Sequence, residues 1–257
     1  MSTIGIILTA YNMADLLRNS LTPWIRAKEA SLAGHRWLIC GVSVPFEGFD
    51  EPRSDETLEI MHRAHLAGHL DHLILSDSPM KETEARGAAL KWLVGQGITC
   101  AWQVDADEFY TTEQISAIVK FVEARPLVPW FRLCLRNLVF DRQTYLTQPF
   151  TPPRIHRIDL PDGWRASAFW DDNNVLYCRE GPVNERREIR DVQLAHVTVP
   201  KALAWISHET WLNDSRSKIK ISYQSKRPGW TCSFDWDDAK GGLVWRAGQP
   251  IPETATL

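Results

Sequence analysis

The sequence predicts an α/β protein: a mostly parallel central sheet flanked by helices, then a β-rich, irregular portion with a C-terminal helix and tail. Three observations predict it. Short apolar runs alternate with helix-spaced apolar stripes through the first half of the 257 residues, which is the pattern of βαβ units. Strand candidates crowd together from about residue 128 onward. A chain of this length can also close a single hydrophobic core without metal or disulfide support.

In chain order, residues 4–8 read as the first strand, followed after Asn12 by a helical stripe of Leu16, Leu17, Leu21, Trp24 and Ile25 that Pro23 kinks. Residues 37–44 form the second strand, and Leu58, Met61, His62, His65 and Leu66 mark the next helix. A short strand at 73–75 precedes the clearest helix, where Ala85, Ala88, Ala89, Trp92 and Leu93 share a face and Gly95 and Gly97 end it. Residues 98–104 are the fourth strand. Thr111 and Gln114 have capping-box spacing and start a helix through Ile115, Ile118, Val119 and Val122. Beyond it, residues 130–140, 154–158, 175–178 and 192–199 are strand candidates. Pro200 opens a helix with Leu203, Ile206 and Trp211 on one side.

The formal net charge of -3 provides no global field for nucleic acid. Five scattered cysteines without a CxxC indicate neither a disulfide framework nor a zinc site, and fit a reducing cytoplasm. No segment reads as a signal peptide or membrane anchor. The composition is ordinary except that 12 Trp outnumber 5 Tyr, an excess of flat rings that suits either a core or a sugar-binding cleft.

The most informative stretch follows the fourth strand, which empties into Asp105, Asp107 and Glu108 before a turn. In open α/β sheets ligands bind beyond the carboxyl ends of the strands. Carboxylates so close raise one another's pKa unless a cation neutralises them, and a divalent metal is the simplest resolution. Solvated loop acids at a helix start are the plainer alternative.

Three motifs in order carry a resemblance over about residues 3–110. Thr9, Ala10, Tyr11 and Asn12 after the first strand, Ala85 and Arg86 in the helix, and the acid motif ending in Phe109 resemble nucleotide-sugar glycosyltransferases of the Rossmann-like GT-A fold, particularly family 2 in its DxDEF form. The resemblance implies a metal-dependent glycosyltransferase that moves a sugar from a nucleoside-diphosphate sugar to an acceptor hydroxyl of a saccharide or glycoconjugate. It implies one domain over 1–224, with a nucleotide-sugar half at 1–110 and an acceptor half at 111–224, and a tail at 225–257. Thr9, Ala10, Tyr11, Asn12, Asp77, Arg86, Asp105 and Lys201 are then the donor-binding residues. Asp105, Asp107 and His196 hold Mn²⁺ or Mg²⁺, with His156 and His208 as competitors to His196. The acid expected after the second strand is absent: Gly41, Val42, Ser43, Val44 and Pro45 stand there, which leaves the base open.

An inverting transfer needs a carboxylate to take the acceptor proton. Asp172, Asp171 and Asp141 are the candidates, with Glu185 and Asp191 behind them. Trp170 beside them offers a flat face for a sugar ring, although the same Asp- and Asn-rich stretch also suits a hairpin turn. Two other functions remain open: a sugar nucleotidyltransferase, disfavoured because residues 9–17 contain no Gly, and a non-catalytic carbohydrate-binding protein.

Overall fold

The computed structural model describes residues 2–48, 52–147, 150–158, 160, 164–171, 174–179, 196–212, 217, 218, 220, 221, 234–237, 239, 240, 242–246 and 253–256. Strand β1 (Thr3–Thr9) is apolar at nearly every position and pairs in parallel on both sides, with β2 (Arg36–Ser43) and β4 (Cys100–Asp105). A strand buried on both faces has no polar side to present, which explains its unbroken hydrophobic run. Helix α1 (Ala14–Glu29) follows β1 and passes through Pro23. Its own N-cap side chain makes no capping bond. Instead Asp55 Oδ2 accepts from the Ala14 N–H at 2.8 Å and Thr57 Oγ1 from the Met13 N–H at 2.7 Å. Helices α2 (Thr57–Leu66) and α3 (Glu82–Gly95) bracket the short β3 (His72–Leu75).

After β4 come β5 (Glu108–Phe109) and α4 (Thr112–Glu123), whose capping box of Thr111 and Gln114 is present in both directions. Replacing Thr111 with Ala should cost about 1 kcal/mol of stability in denaturant unfolding, the usual size of a lost N-cap.

The sequence expectation of one strand over residues 130–140 is corrected in an informative way. The path changes sheets at the fully buried Leu133, giving β6 (Trp130–Arg132) and β7 (Cys134–Val139). Strands β8 (Thr144–Leu146), β9 (Pro153–Arg157), β10 (Trp164–Asp171), β11 (Asn174–Arg179), β12 (His196–Thr198) and β13 (Trp205–Trp211) follow. The helix expected after Pro200 is likewise a turn and a strand. Ile206 and His208 point inward while Trp205 and Ser207 are half-buried, a period of two that wins because β-branched and aromatic residues pack well on a sheet. The chain closes with β14 (Phe234–Asp237), β15 (Gly242–Trp245) and β16 (Thr254–Thr256).

The seven-stranded main sheet has the order β12-β6-β9-β4-β1-β2-β3, parallel from β3 to β4, with β9 antiparallel to both neighbours. This is the predicted Rossmann-like α/β architecture. A second sheet, β16-β8-β7-β13-β5, is joined to the first through β5 and the β6–β7 switch. The tail takes part in it, since β16 pairs with β8, and Phe234 packs on Trp211 with ring centres 4.7 Å apart.

Much of the Trp excess in the first half is core. Trp24 is fully buried, with its ring centre 4.9 Å from Trp102, 5.0 Å from Tyr110 and 6.2 Å from Trp37. Cys40, Cys100 and Cys134 are buried free thiols, and burial pushes Cys40 and Cys100 up to about 12. No helix among the described residues is long and apolar enough to cross a membrane.

Candidate functional site

The sheet order reverses between β1 and β4, and at such a switch point the loops diverge to leave a crevice at the strands' carboxyl ends. Thr9 and Asp105 are register partners there. Of the donor-binding residues expected from sequence, Thr9, Ala10, Tyr11, Asn12, Asp77, Arg86 and Asp105 all lie along this edge, at the ends of β1, β3 and β4 or in the first turns of α3. Asn12 adopts a left-handed backbone, φ 51°. Its side chain is turned to the 52–54 segment, donating to the Pro52 carbonyl at 3.0 Å and accepting from the Ser54 N–H at 3.1 Å.

The carboxylates of the acid motif are divided among different partners. Asp105 accepts from Arg86 at 2.8 Å through Oδ1 and from Arg154 at 3.0 Å through Oδ2. Arg86 also pairs with Glu82 at 3.0 Å. Glu108 is fully buried. Arg154 donates to its Oε1 through Nε at 2.8 Å and through Nη2, and Tyr110 donates to Oε2 at 2.9 Å. Burial raises the Glu108 pKa and Arg154 opposes it. Burial likewise works against the charge on Arg154, but Glu108 and Asp105 more than compensate and raise its pKa. The ion-paired form is the one this geometry supports. Tyr110 is pushed well up by burial and then by Glu108.

Charge repulsion among the acids is therefore answered by Arg86, which the sequence marks for the donor, and by Arg154, which sequence separation hides. In the sequence Arg154 stands only as the first residue of the strand candidate at 154–158. His156, a sequence competitor for the metal, is fully buried on β9, where burial and then Arg154 hold its pKa down to about 3.

Asp107 points elsewhere, with Oδ2 3.3 Å from His208 Nε2, while His208 Nδ1 meets Asn137 Oδ1. Both side chains of the Asp107–His208 pair are 7% exposed. Strand β13 delivers His208 by pairing with β5, with His208 opposite Glu108. His196 is not brought to the acids. Its register partners run through Trp130 and His156 to Ala101 on β4, three strand spacings from β4, about 14 Å.

Lys201 sits on the exposed turn before β13, its ammonium 5.0 Å from the Trp205 ring centre. Asp141 is exposed in the β7–β8 turn and accepts from the Gln143 and Thr144 N–H groups at 2.8 and 2.6 Å; these bonds lower its pKa. That makes it a weak proton acceptor. Trp170 and Asp171 end β10, which is described by its backbone. Asp172, Glu185 and Asp191 lie outside the described residues.

Two features fit a divalent cation: Asp107 paired with a single imidazole, and Asp105 two residues away. Among the described residues no three His, Cys, Asp or Glu side chains close on one point. Mg²⁺ is commonly held by one or two carboxylates plus substrate phosphates rather than by an all-protein cage, and an imidazole tilts the set toward Mn²⁺.

Sequence reasoning missed Arg53. Its Nη1 donates to Ser43 Oγ at 2.9 Å, Nη2 to the Ser43 and Ser76 carbonyls at 3.2 and 3.3 Å, and Nε to Asp77 at 3.3 Å. No local pattern marks an arginine in the irregular segment after β2.

No protein-family model and no curated protein matches this sequence. Among solved structures, S. aureus TarS residues 1–349 in complex with UDP-GlcNAc is 13% identical, covering 61% of this chain and 45% of that one, with a TM-score of 0.42. A protein from Desulfovibrio desulfuricans G20 carrying the description nucleotide-diphospho-sugar transferase is 12% identical over 61% of this chain and 64% of its own, TM-score 0.33. HddC from Yersinia pseudotuberculosis is 10% identical over 85% of this chain and 98% of its own, TM-score 0.42. The chain thus spans less than half of the TarS structure it matches.

Proposed function

We propose that the chain is a transferase that takes a sugar from a nucleoside-diphosphate sugar and passes it to an acceptor hydroxyl of a saccharide or glycoconjugate. The observation that carries this reading is the meeting of Thr9, Arg86 and Asp105 at the sheet's switch point. A nucleotide would lie along the carboxyl ends of β1–β3, with its diphosphate toward Arg86. A guanidinium there meets phosphate oxygens by charge-assisted hydrogen bonds and stabilises charge as the diphosphate departs.

Asp107 and His208 would hold Mn²⁺ or Mg²⁺, Asp105 would join them once released from Arg86, and the cation would supply Lewis-acid neutralisation of the leaving diphosphate. Arg86 shares Asp105 in this arrangement, so a bound diphosphate draws Arg86 away and frees a carboxylate oxygen. Asp171 or Asp172 would take the acceptor proton, and Trp170 would supply a flat ring for the acceptor sugar.

Titration calorimetry with UDP, GDP and their sugars, with and without Mn²⁺, tests the reading. Arg86→Ala should weaken the best-binding nucleotide about tenfold, the size of one lost charge-assisted contact. Asp107→Ala should remove the metal's effect on that affinity. Nucleotide binding that ignores both substitutions would sink the proposal.

A further inference from the structure

Successive strand residues point to opposite sides of a sheet, so Trp205 and Ser207 on β13 project away from Ile206 and His208. Ser207 is the register partner of Arg136 on β7, and Arg136 Nη2 donates to its hydroxyl at 2.9 Å. The guanidinium Cζ stands 5.3 Å from the centre of the Trp205 ring and 5.6 Å from that of Tyr145 on β8. The two rings meet edge to face with their centres 5.0 Å apart. Lys201, on the exposed turn before β13, holds its ammonium 5.0 Å from the centre of the same Trp205 ring.

Donors outnumber acceptors in this cluster. A guanidinium has five N–H groups and an ammonium three, and neither accepts a hydrogen bond. Among the described residues no carboxylate pairs with Arg136 or Lys201; Glu209, further along β13, is held by Arg142 at 3.1 Å. Arg136 Nε and Trp205 Nε1 are buried without an acceptor. Arg136 Nη1 neither meets a described acceptor nor is buried without one, which leaves that edge of the fork to solvent. Both cations lie against one ring, so their charges are no more than about 10 Å apart, within a Debye length at moderate salt. The rings fix the cations in place by their quadrupoles but leave the charges un-neutralised. A phosphoryl group answers both: it carries about −1.5 to −2 charges near neutral pH and three acceptor oxygens. The planar guanidinium can meet two of those oxygens side by side, and the ammonium adds a point charge. A carboxylate supplies one charge where the cluster has two.

We propose that Arg136 and Lys201, held around Trp205, form a phosphoryl-binding site on the face of the second sheet opposite the Asp107–His208 pair. The site does not depend on the donor-site reading above. The test follows the indole N–H signal of Trp205, identified by Trp205→Phe, in the nitrogen-resolved NMR spectrum of the full chain titrated with glucose 6-phosphate, inorganic phosphate, glucuronate and glucose. Either phosphate should move the signal saturably, about tenfold more tightly than glucuronate, and glucose should not move it. Tighter binding of glucose 6-phosphate marks an esterified ligand and equal binding marks the free ion; both outcomes support the site. Arg136→Met should weaken the phosphates about tenfold and Lys201→Met about threefold, while Arg86→Ala, in the other site, should leave this titration unchanged. Glucuronate or glucose matching the phosphates, or a Trp205 signal that ignores them, would overturn the proposal. So would unaltered affinity in the Lys201→Met variant, whose position on an exposed turn keeps the test open even if Arg136→Met does not fold.

Discussion

Glu108→Ala should lower the free energy of unfolding by about 3–5 kcal/mol, the usual cost of breaking a buried ion pair from one side. Glu108 is fully buried and holds both the Arg154 guanidinium and the Tyr110 hydroxyl. Its removal leaves Arg154, whose side chain is 7% exposed, with one carboxylate partner among the described residues, Asp105 at 3.0 Å. A loss of this size is a large fraction of the stability of an ordinary domain, typically about 5–15 kcal/mol. Urea unfolding checks it, with the slope as a control for a changed unfolded state. The double substitution Glu108→Leu with Arg154→Met removes both charges and should recover most of the loss. A single-variant loss below about 1 kcal/mol, the range of exposed pairs, would show that the network contributes little. The same network steadies the site, because Arg154 reaches Glu108 and Asp105 together. The third acid of the motif thus acts as an anchor for the first.

Acid should destabilise the protein through His156. Its ordinary value of 6.5 falls to about 3 in the folded state, first through burial and then through Arg154. The unfolded chain therefore takes up the proton before the folded one does. The stabilising contribution is fully present above pH 6.5 and is lost as the pH falls toward 3. Within that window the loss is about 1.4 kcal/mol per pH unit, or roughly 4–5 kcal/mol across it. Unfolding free energies measured at pH 7, 6, 5 and 4 would follow the slope. His156→Phe keeps a ring against Trp130, whose centre lies 6.4 Å from the imidazole, and should flatten it. A variant with the slope of the parent protein would place the acid sensitivity elsewhere.

What could be read locally and what could not are separated by sequence distance. The capping box of Thr111 and Gln114, the helix face of Ala85, Ala89 and Leu93, and the acid motif at the end of β4 each depend on residues within a turn or two of one another. The strand at 205–211 failed as a helix because its identity is set by pairing with β7 and β5, both of them far away along the chain. For the imidazole near the acids, His196 sits in an apolar strand and His208 among polar neighbours, and only sheet order shows which strand lies beside β5.

By itself the sequence determined the βαβ alternation, the start of α4 and the delivery of Thr9 and Asp105 to the carboxyl ends of strands, because hydrophobic period and the Thr111 capping box are local properties of the chain. The tertiary structure alone decided which charges meet. Arg86 and Arg154 reach Asp105 across 19 and 49 positions, Arg53 reaches Asp77 across 24, and His208 reaches Asp107 from the second sheet. The physical reason is that these long-range pairs are chosen by proximity in the folded sheet order, which the spacing of the residues along the chain does not encode.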